Sequence, residues 1–130
     1  MDQVEIADED LLYRRVHPTQ VELATGRVTS AAFKGSGGHE LSVDLARLTT
    51  AETCFNWAVQ RQRKCAGVVQ FSAGLARTLQ QEVRHDPLPN DHPEGPNPAH
   101  TLVIGEKDIK PKPTVATRLA DGSTWVYPEK

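Results

Sequence analysis

The chain has 130 residues, of which 38% are hydrophobic and 25% are charged. This size and composition are typical of one compact domain over residues 1–130, and they exclude a collagen-like or wholly disordered chain. The formal net charge of −2 supplies no basic field that would neutralise the phosphates of a nucleic acid. Nucleic acid is therefore not an expected partner.

The segment Met1 to Asp10 carries five carboxylates and none of the basic residues that open a signal peptide. No apolar run approaches the roughly 20 residues that a helix needs to cross a bilayer. We therefore expect a loose acidic N terminus over residues 1–9, a cytoplasmic location and no membrane partner.

Short runs of apolar and β-branched residues, several of them alternating, predict strands along the chain. Glycines at 35–38 predict the turn that joins two of these strands. The segments concerned are residues 9–16, 27–33, 39–44, 68–71 and 100–105.

Three helices are expected between the strands. Thr49-Thr50-Ala51-Glu52 resembles a capping box, and the stripe of Cys54, Phe55, Ala58 and Val59 that follows has the spacing of an amphipathic helix over about 50–65. A second helix is expected after Ser72, with Leu75, Leu79 and Val83 on one side, and a third from Pro113 to Gly122. The predicted fold class is α+β, a small mixed and mainly antiparallel sheet packed by the amphipathic helix and one or two shorter helices.

Arg14 and Arg15 are adjacent in the first predicted strand, so their side chains point to opposite faces of the sheet. Whichever face is buried must then hold an arginine among apolar side chains. A buried guanidinium is costly unless it meets a carboxylate, carbonyl oxygens or an anionic ligand. An ion pair with Asp44 or Glu40 and an anion-binding role that also uses His17 are both open at this point.

The first third of the chain resembles the opening half of ADP-ribosyltransferase-like domains, which place an arginine or histidine on the first strand and a small-residue strand after it. Tyr13-Arg14-Arg15 matches the first of these strands, and Ser30-Ala31-Ala32-Phe33 or Leu41-Ser42-Val43 matches the later one. No glutamate in the second half lies in a recognisable catalytic strand motif. The resemblance implies a small transferase or nucleotide-binding enzyme that uses a first-strand arginine.

Four stretches that span most of the chain resemble a family of small uncharacterised bacterial proteins. They are Leu12 to Pro18, Ser30-Ala31-Ala32-Phe33, Leu41-Ser42-Val43 and Pro98-Ala99-His100. This resemblance implies a bacterial setting, and it confers no activity.

Residues 86–98 include Pro93, Pro96 and Pro98 and predict an extended surface loop, because proline removes backbone donors. The tail at Trp125 and Tyr127 is apolar enough to contact a partner. Extended proline segments and exposed aromatic residues are common features of protein-binding surfaces.

Two other clusters have simpler explanations than a ligand site. The spacing of histidines and carboxylates between His85 and His100 matches no dedicated metal site. The Gly35-Ser36-Gly37-Gly38 run leads into a strand, whereas a phosphate loop leads into a helix. We therefore predict no metal and no cofactor, and spacing alone assigns no catalytic residue.

Two functions from different classes remain. The leading hypothesis is a non-catalytic protein-binding or regulatory module of a bacterial multi-component system, with a conflict or defence system as one such setting. Its partner-binding residues are Trp125, Tyr127, Pro93, Pro96 and Pro98. Homo-oligomerisation stays open. The alternative is a small ADP-ribosyltransferase-like or nucleotide-binding enzyme with Arg14, Arg15 and His17 at the ligand.

Overall fold

The computed structural model describes residues 3–34, 40–105 and 113–128, and it confirms the α+β class. The predicted glycine turn at 35–38 and the segment 106–112 before the third predicted helix lie outside the described residues. The strands are β1 (Leu11–Val16), β2 (Glu40–Leu45), β3 (Gly67–Ser72), β4 (Glu82–His85), β5 (His100–Ile104) and β6 (Thr124–Tyr127). The helices are α1 (Ala51–Gln60), α2 (Ala73–Thr78) and α3 (Pro113–Asp121).

The strands form one sheet in the order β4-β5-β2-β1-β3-β6, and each recorded pairing is antiparallel. β1 pairs with β3 along its whole length, from Leu11 to Val16. Its pairing with β2 covers only Leu12 with Leu45 and Tyr13 with Asp44. Beyond Tyr13 the two central strands therefore separate, and a cleft opens between them.

One face of the sheet carries the main hydrophobic core. Leu12 and Val16 of β1 lie there with the buried side chains of β2 and β3, and Phe71 packs edge-on against Phe33 with ring centroids 5.8 Å apart. α2, α3 and a 3₁₀ turn at Ser30–Phe33 cover this face. The strand predicted over residues 27–33 is wrong, because this segment forms the 3₁₀ turn and contributes only an isolated bridge between Val21 and Val28.

α1 covers the opposite face and is shorter than the sequence indicated. It begins after Thr50, whose side chain accepts a hydrogen bond from the Thr53 amide, and it ends at Gln60. Gln62 then takes a positive φ of 58°, so Arg61, Arg63 and Lys64 lie beyond the last turn of the helix. Cys54 and Ala58 are buried, but Val59 is 53% exposed, and neither buried residue belongs to the main core cluster.

The second predicted helix was also too long. α2 ends at Thr78, and Val83 lies in β4, which pairs with β5. Gln80 has a positive φ of 65° at the junction, a conformation that breaks a helix. β6 was missed as a strand, because the tail was read only as a docking surface.

The described part of the N terminus packs against the domain, unlike the loose segment expected over residues 1–9. Ile6 is 6% exposed and belongs to the main core. The Val4 amide donates to Nδ1 of His85 at 2.9 Å, and Arg77 binds both Asp8 and the Ile6 carbonyl. The apolar residues between the carboxylates, Val4 and Ile6, account for this docking.

The proline-rich loop is ordered against α1. Leu88 and Asn97 form a bridge that closes it, and Nε1 of Trp57 donates to the Glu94 carbonyl at 3.3 Å. Pro93, Pro96 and Pro98 face outward, as a surface loop requires. Among the described helices, none combines the length and apolarity needed to span a membrane.

Candidate functional site

The gap between β1 and β2 is part of a cavity of about 700 Å³. Its floor is the end of β1 together with Ser42 on β2, and its walls come from α1, the segment after α1 and the proline-rich loop. All three residues that the sequence nominated for ligand binding, Arg14, Arg15 and His17, line this cavity. They are adjacent in the chain, but the opening between the strands is what gives them a shared space.

Arg14 lies on the core face of β1, and its head group reaches into the gap. Nε donates to the Ala32 carbonyl at 2.8 Å, and one terminal nitrogen donates to the Ser42 carbonyl at 2.9 Å. No carboxylate of the described residues forms an ion pair with this guanidinium. Burial lowers the pKa of Arg14 to about 10, and the adjacent charge of Arg15 acts in the same direction.

The second terminal nitrogen of Arg14 has no hydrogen-bond partner within residues 3–34, 40–105 and 113–128. No fully buried side-chain nitrogen or oxygen in that same part of the chain lacks a partner. Arg14 lines the cavity, so it presents there a positive charge and N–H groups that have no partner among the described residues.

Arg15 is held differently on the opposite face. Its terminal nitrogen lies 2.7 Å from a carboxylate oxygen of Asp44, and Nε donates to the Cys54 carbonyl. Asp44 is 2% exposed and also accepts from the Asn97 amide at 2.9 Å and from the Cys54 thiol at 3.1 Å. The ion pair with Asp44 that the sequence left open is therefore present for Arg15.

The Asp44 network ties four parts of the chain together, since its members come from β1, β2, α1 and the proline-rich loop. Burial and the nearby Asp44 carboxylate raise the pKa of the Cys54 thiol. Cys54 is accordingly a protonated hydrogen-bond donor at neutral pH and not a nucleophile. Cys65 is a free cysteine after the helix, and its thiol donates to the Gly67 carbonyl.

Trp57 forms part of the cavity wall and is surrounded by guanidinium groups. The head groups of Arg15 and Arg61 both lie 4.2 Å from its ring centroid, and that of Arg63 lies at 5.0 Å. Arg63 also forms a two-bond ion pair with Glu94, and these hydrogen bonds lower the pKa of the Glu94 carboxyl. The wall is therefore rich in positive charge that is partly balanced by acidic neighbours.

A serine, a histidine and an aspartate meet at the same cavity, and sequence reasoning missed this arrangement. Nε2 of His100 lies 3.2 Å from Oγ of Ser42. Nδ1 lies 2.9 Å from the main-chain oxygen of Asp86 and 3.2 Å from its carboxylate. The residues come from β2, β5 and the end of β4, which are brought together only by the register of the sheet.

The register explains why Ser42 and His100 meet. Ser42 stands opposite Leu102, and His100 stands opposite Asp44. Ser42 and Asp44 are two residues apart on β2 and share a face, so His100 is the diagonal neighbour of Ser42. The alternation of each strand was visible in the sequence, but the pairing of β2 with β5 was not.

His17 lies at the exit of β1, and its ring is fixed locally. Nδ1 accepts from the Thr19 amide at 3.1 Å and lies 2.8 Å from the Thr19 hydroxyl. His17 therefore lines the cavity with its Nδ1 already engaged by Thr19.

The residues nominated for partner binding lie elsewhere. Trp125 donates from Nε1 to the Gly26 carbonyl at 3.1 Å, and the Tyr127 ring packs on Phe55 with centroids 5.0 Å apart. Both side chains are half-buried and serve intramolecular contacts in β6. The exposed prolines are the part of the predicted docking surface that remains available.

Comparison with protein-family models, with curated proteins and with solved structures gives no match. The resemblances noted in the sequence therefore stay predictions. In the described residues, no group of three or more histidine, cysteine, aspartate or glutamate side chains is placed to hold a metal ion.

Proposed function

We propose that the chain binds a small phosphate-bearing ligand in the cleft between β1 and β2, with Arg14 as the residue that contacts the anion. This is the binding step of the alternative that the sequence raised, a nucleotide-binding protein that uses a first-strand arginine. The supporting observation is the contrast between Arg14, whose partners among the described residues are both carbonyl oxygens, and Arg15, which pairs with a carboxylate.

The positive charge of Arg14 has no counter-ion among the described residues. Carbonyl oxygens satisfy two N–H groups of Arg14 but do not neutralise its charge, and a partly buried cation without a counter-ion destabilises a fold. A planar guanidinium with free N–H groups is well suited to phosphate oxygens. An anion in the cleft would supply the missing counter-charge.

The surrounding cavity suits a ligand of this class. Lys64 and His17 also line it, and Arg15 and Arg63 add positive charge. This charge is offset in part by carboxylates, since Asp44 pairs with Arg15, Glu94 pairs with Arg63, and Glu40 and Asp86 line the cavity as well. The Trp57 ring is already in contact with three guanidinium groups, so it supports the wall and is not a free platform for stacking a base. The proposal therefore commits to the phosphate group and leaves the rest of the ligand unspecified.

Isothermal titration calorimetry with pyrophosphate and with ADP tests this proposal. Arg14→Gln removes the charge but keeps an amide donor for the Ala32 and Ser42 carbonyls. It should weaken pyrophosphate binding roughly 10- to 100-fold, the value of a charged hydrogen bond. Arg84→Gln is the matched control, because Arg84 pairs with Glu82 on the edge strand β4 and does not line the cavity.

The control should bind pyrophosphate as the wild-type chain does. Unchanged pyrophosphate binding by Arg14→Gln, or an equal loss of affinity in Arg84→Gln, would contradict the proposal. A higher affinity for ADP than for pyrophosphate would show that the chain also contacts the nucleoside.

Protein binding through the proline-rich loop is the second candidate, and the outward position of Pro93, Pro96 and Pro98 favours it. Replacing Pro93 and Pro98 by alanine should then weaken capture of a protein partner, and Arg14→Gln should leave that capture unchanged. Loss of capture in Arg14→Gln, with capture retained in the proline variant, would favour the cleft as the binding site. Trp125 and Tyr127 are poor test positions, because their intramolecular contacts would be lost as well.

A further inference from the structure

We propose that Ser42, His100 and Asp86 form a nucleophilic triad that transfers the acyl group of a carboxylic ester bound in the β1–β2 cleft. This inference rests on the proposed function only in that the cleft takes up a small ligand. It goes beyond that function because it assigns a reaction and a nucleophile.

The hydrogen-bond partners of His100 fix which ring nitrogen carries the proton. The Asp86 main-chain oxygen, 2.9 Å from Nδ1, can only accept a hydrogen bond, and so can the ionised Asp86 carboxylate at 3.2 Å. Nδ1 of a neutral ring must therefore be the donor. Nε2 is then unprotonated and accepts from the Ser42 hydroxyl at 3.2 Å.

This is the arrangement that base-activated serine chemistry requires. A base accepts from the serine hydroxyl, and a third group orients the base through its other nitrogen and stabilises the imidazolium that forms. The main-chain amide of Asp86 also donates to the His100 carbonyl at 2.8 Å, so the aspartate is anchored to the strand that carries the histidine. Asp86 is thus a positioning residue, and Ser42 and His100 are the catalytic residues.

The exposure of Ser42 and the charge near it also suit attack on an ester. Ser42 is exposed toward the cavity, whereas the His100 side chain is only 13% exposed and is held in place. Arg14 donates to the main-chain oxygen of Ser42, which sets its guanidinium beside the nucleophile. Positive charge there favours an ester that also bears an anionic group, and it stabilises the negative charge that develops on the attacked carbonyl oxygen.

The reaction proceeds in two balanced steps. Oγ of Ser42 forms a bond to the ester carbonyl carbon while Nε2 of His100 takes the hydroxyl proton, and the bond to the leaving alcohol then breaks as His100 returns that proton to the alcohol oxygen. Water next attacks the acyl-serine with His100 as base. The carboxylic acid is released, and Ser42 recovers its proton.

The experiment uses the full chain with phenylmethylsulfonyl fluoride and, separately, with 4-nitrophenyl acetate. Intact mass and peptide mapping should show one sulfonyl group per chain, on Ser42. Ser42→Ala should take up none and should hydrolyse 4-nitrophenyl acetate only at the rate of buffer. His100→Ala should slow labelling of Ser42 roughly 100-fold, within the usual contribution of a general base.

Two further measurements separate chemistry from structure. Imidazole added to His100→Ala should restore part of the labelling rate, which a structural role of His100 would not produce. His92→Ala is the matched control, because His92 lines the same cavity but accepts from the Glu94 amide and has no recorded contact with Ser42 in the described residues; it should label at the wild-type rate. Asp86→Asn should slow labelling, but it should not weaken pyrophosphate binding, because it removes a negative charge from the cavity lining.

The triad and the anion site can fail separately. Pyrophosphate binding and labelling of Ser42 are both measured on the wild-type chain, so labelling and binding are independent readouts. Absence of a Ser42 adduct in the folded wild-type chain would overturn the triad, as would equal labelling of His100→Ala without imidazole. Neither result would affect the test of Arg14.

Discussion

The two faces of the sheet bury their side chains by different means. The core face closes with apolar side chains such as Leu12, Val16 and Phe71. The face under α1 closes around Asp44, a buried carboxylate that accepts from Arg15, Cys54 and Asn97. The cleft opens where β1 and β2 part, beside this polar network. The core face therefore supplies most of the stability, and the other face positions the site.

The largest expected effect belongs to the core face. Phe71→Ala removes a ring that is 2% exposed and packs edge-on against Phe33, and it should lower the free energy of unfolding by about 3–5 kcal/mol. Urea unfolding followed by circular dichroism measures it. A loss below about 1 kcal/mol would show that the core face is not the main source of stability.

An intermediate effect is expected at the polar network. Asp44→Ala leaves Arg15 without its counter-ion and leaves the donors of Cys54 and Asn97 unpaired, which should cost about 3 kcal/mol. The same urea experiment applies. The double variant Arg15→Met with Asp44→Leu should be less destabilised than Asp44→Ala, because no charge is then left buried; a greater loss would contradict the assigned ion pair.

The sequence predicted the features that depend on local period. Because side chains alternate along a strand, Arg14 and Arg15 had to enter opposite faces, and they do. The strand prediction ran through Ser30–Phe33, although the two alanines there favour helical over extended backbone, and the second helix was predicted to run through Val83 into β4. The predicted apolar stripe of the first helix is buried at Cys54 and Ala58, as expected, but it is exposed at Val59.

The candidate site was predictable only in part. The arginines were nominated because a guanidinium on a semi-apolar strand face needs a carboxylate, carbonyl oxygens or an anion, and both arginines and His17 line the cavity. The contact of Ser42, His100 and Asp86 was not predicted, because it depends on β2 pairing with β5 across more than fifty residues of chain. The separation of β1 from β2 after Tyr13 was not predictable either, because it depends on how the two strands pair and not on the sequence of one strand.

The smallest effect is expected at the rim of the cleft. Arg63→Gln breaks an exposed ion pair with Glu94 and should cost about 0.5 kcal/mol at pH 7. Arg63 lowers the pKa of Glu94 in the folded chain, so the pair contributes stability above the ordinary glutamate pKa and loses it as the pH falls through the lowered value. The difference between the two chains should therefore vanish in acid, and a difference that persists at pH 2 would assign the effect to packing on Trp57.

The most direct test of the account compares the two adjacent arginines by urea unfolding without ligand. Arg15→Gln should lower the free energy of unfolding by about 2–3 kcal/mol, because it leaves the buried Asp44 carboxylate without its counter-ion. Arg14→Gln should stay within about 1 kcal/mol of the wild-type chain, because it removes a charge that no carboxylate of the described residues balances. An equal or larger loss in Arg14→Gln would contradict the account, since Arg14 would then be held for the fold and not for a ligand.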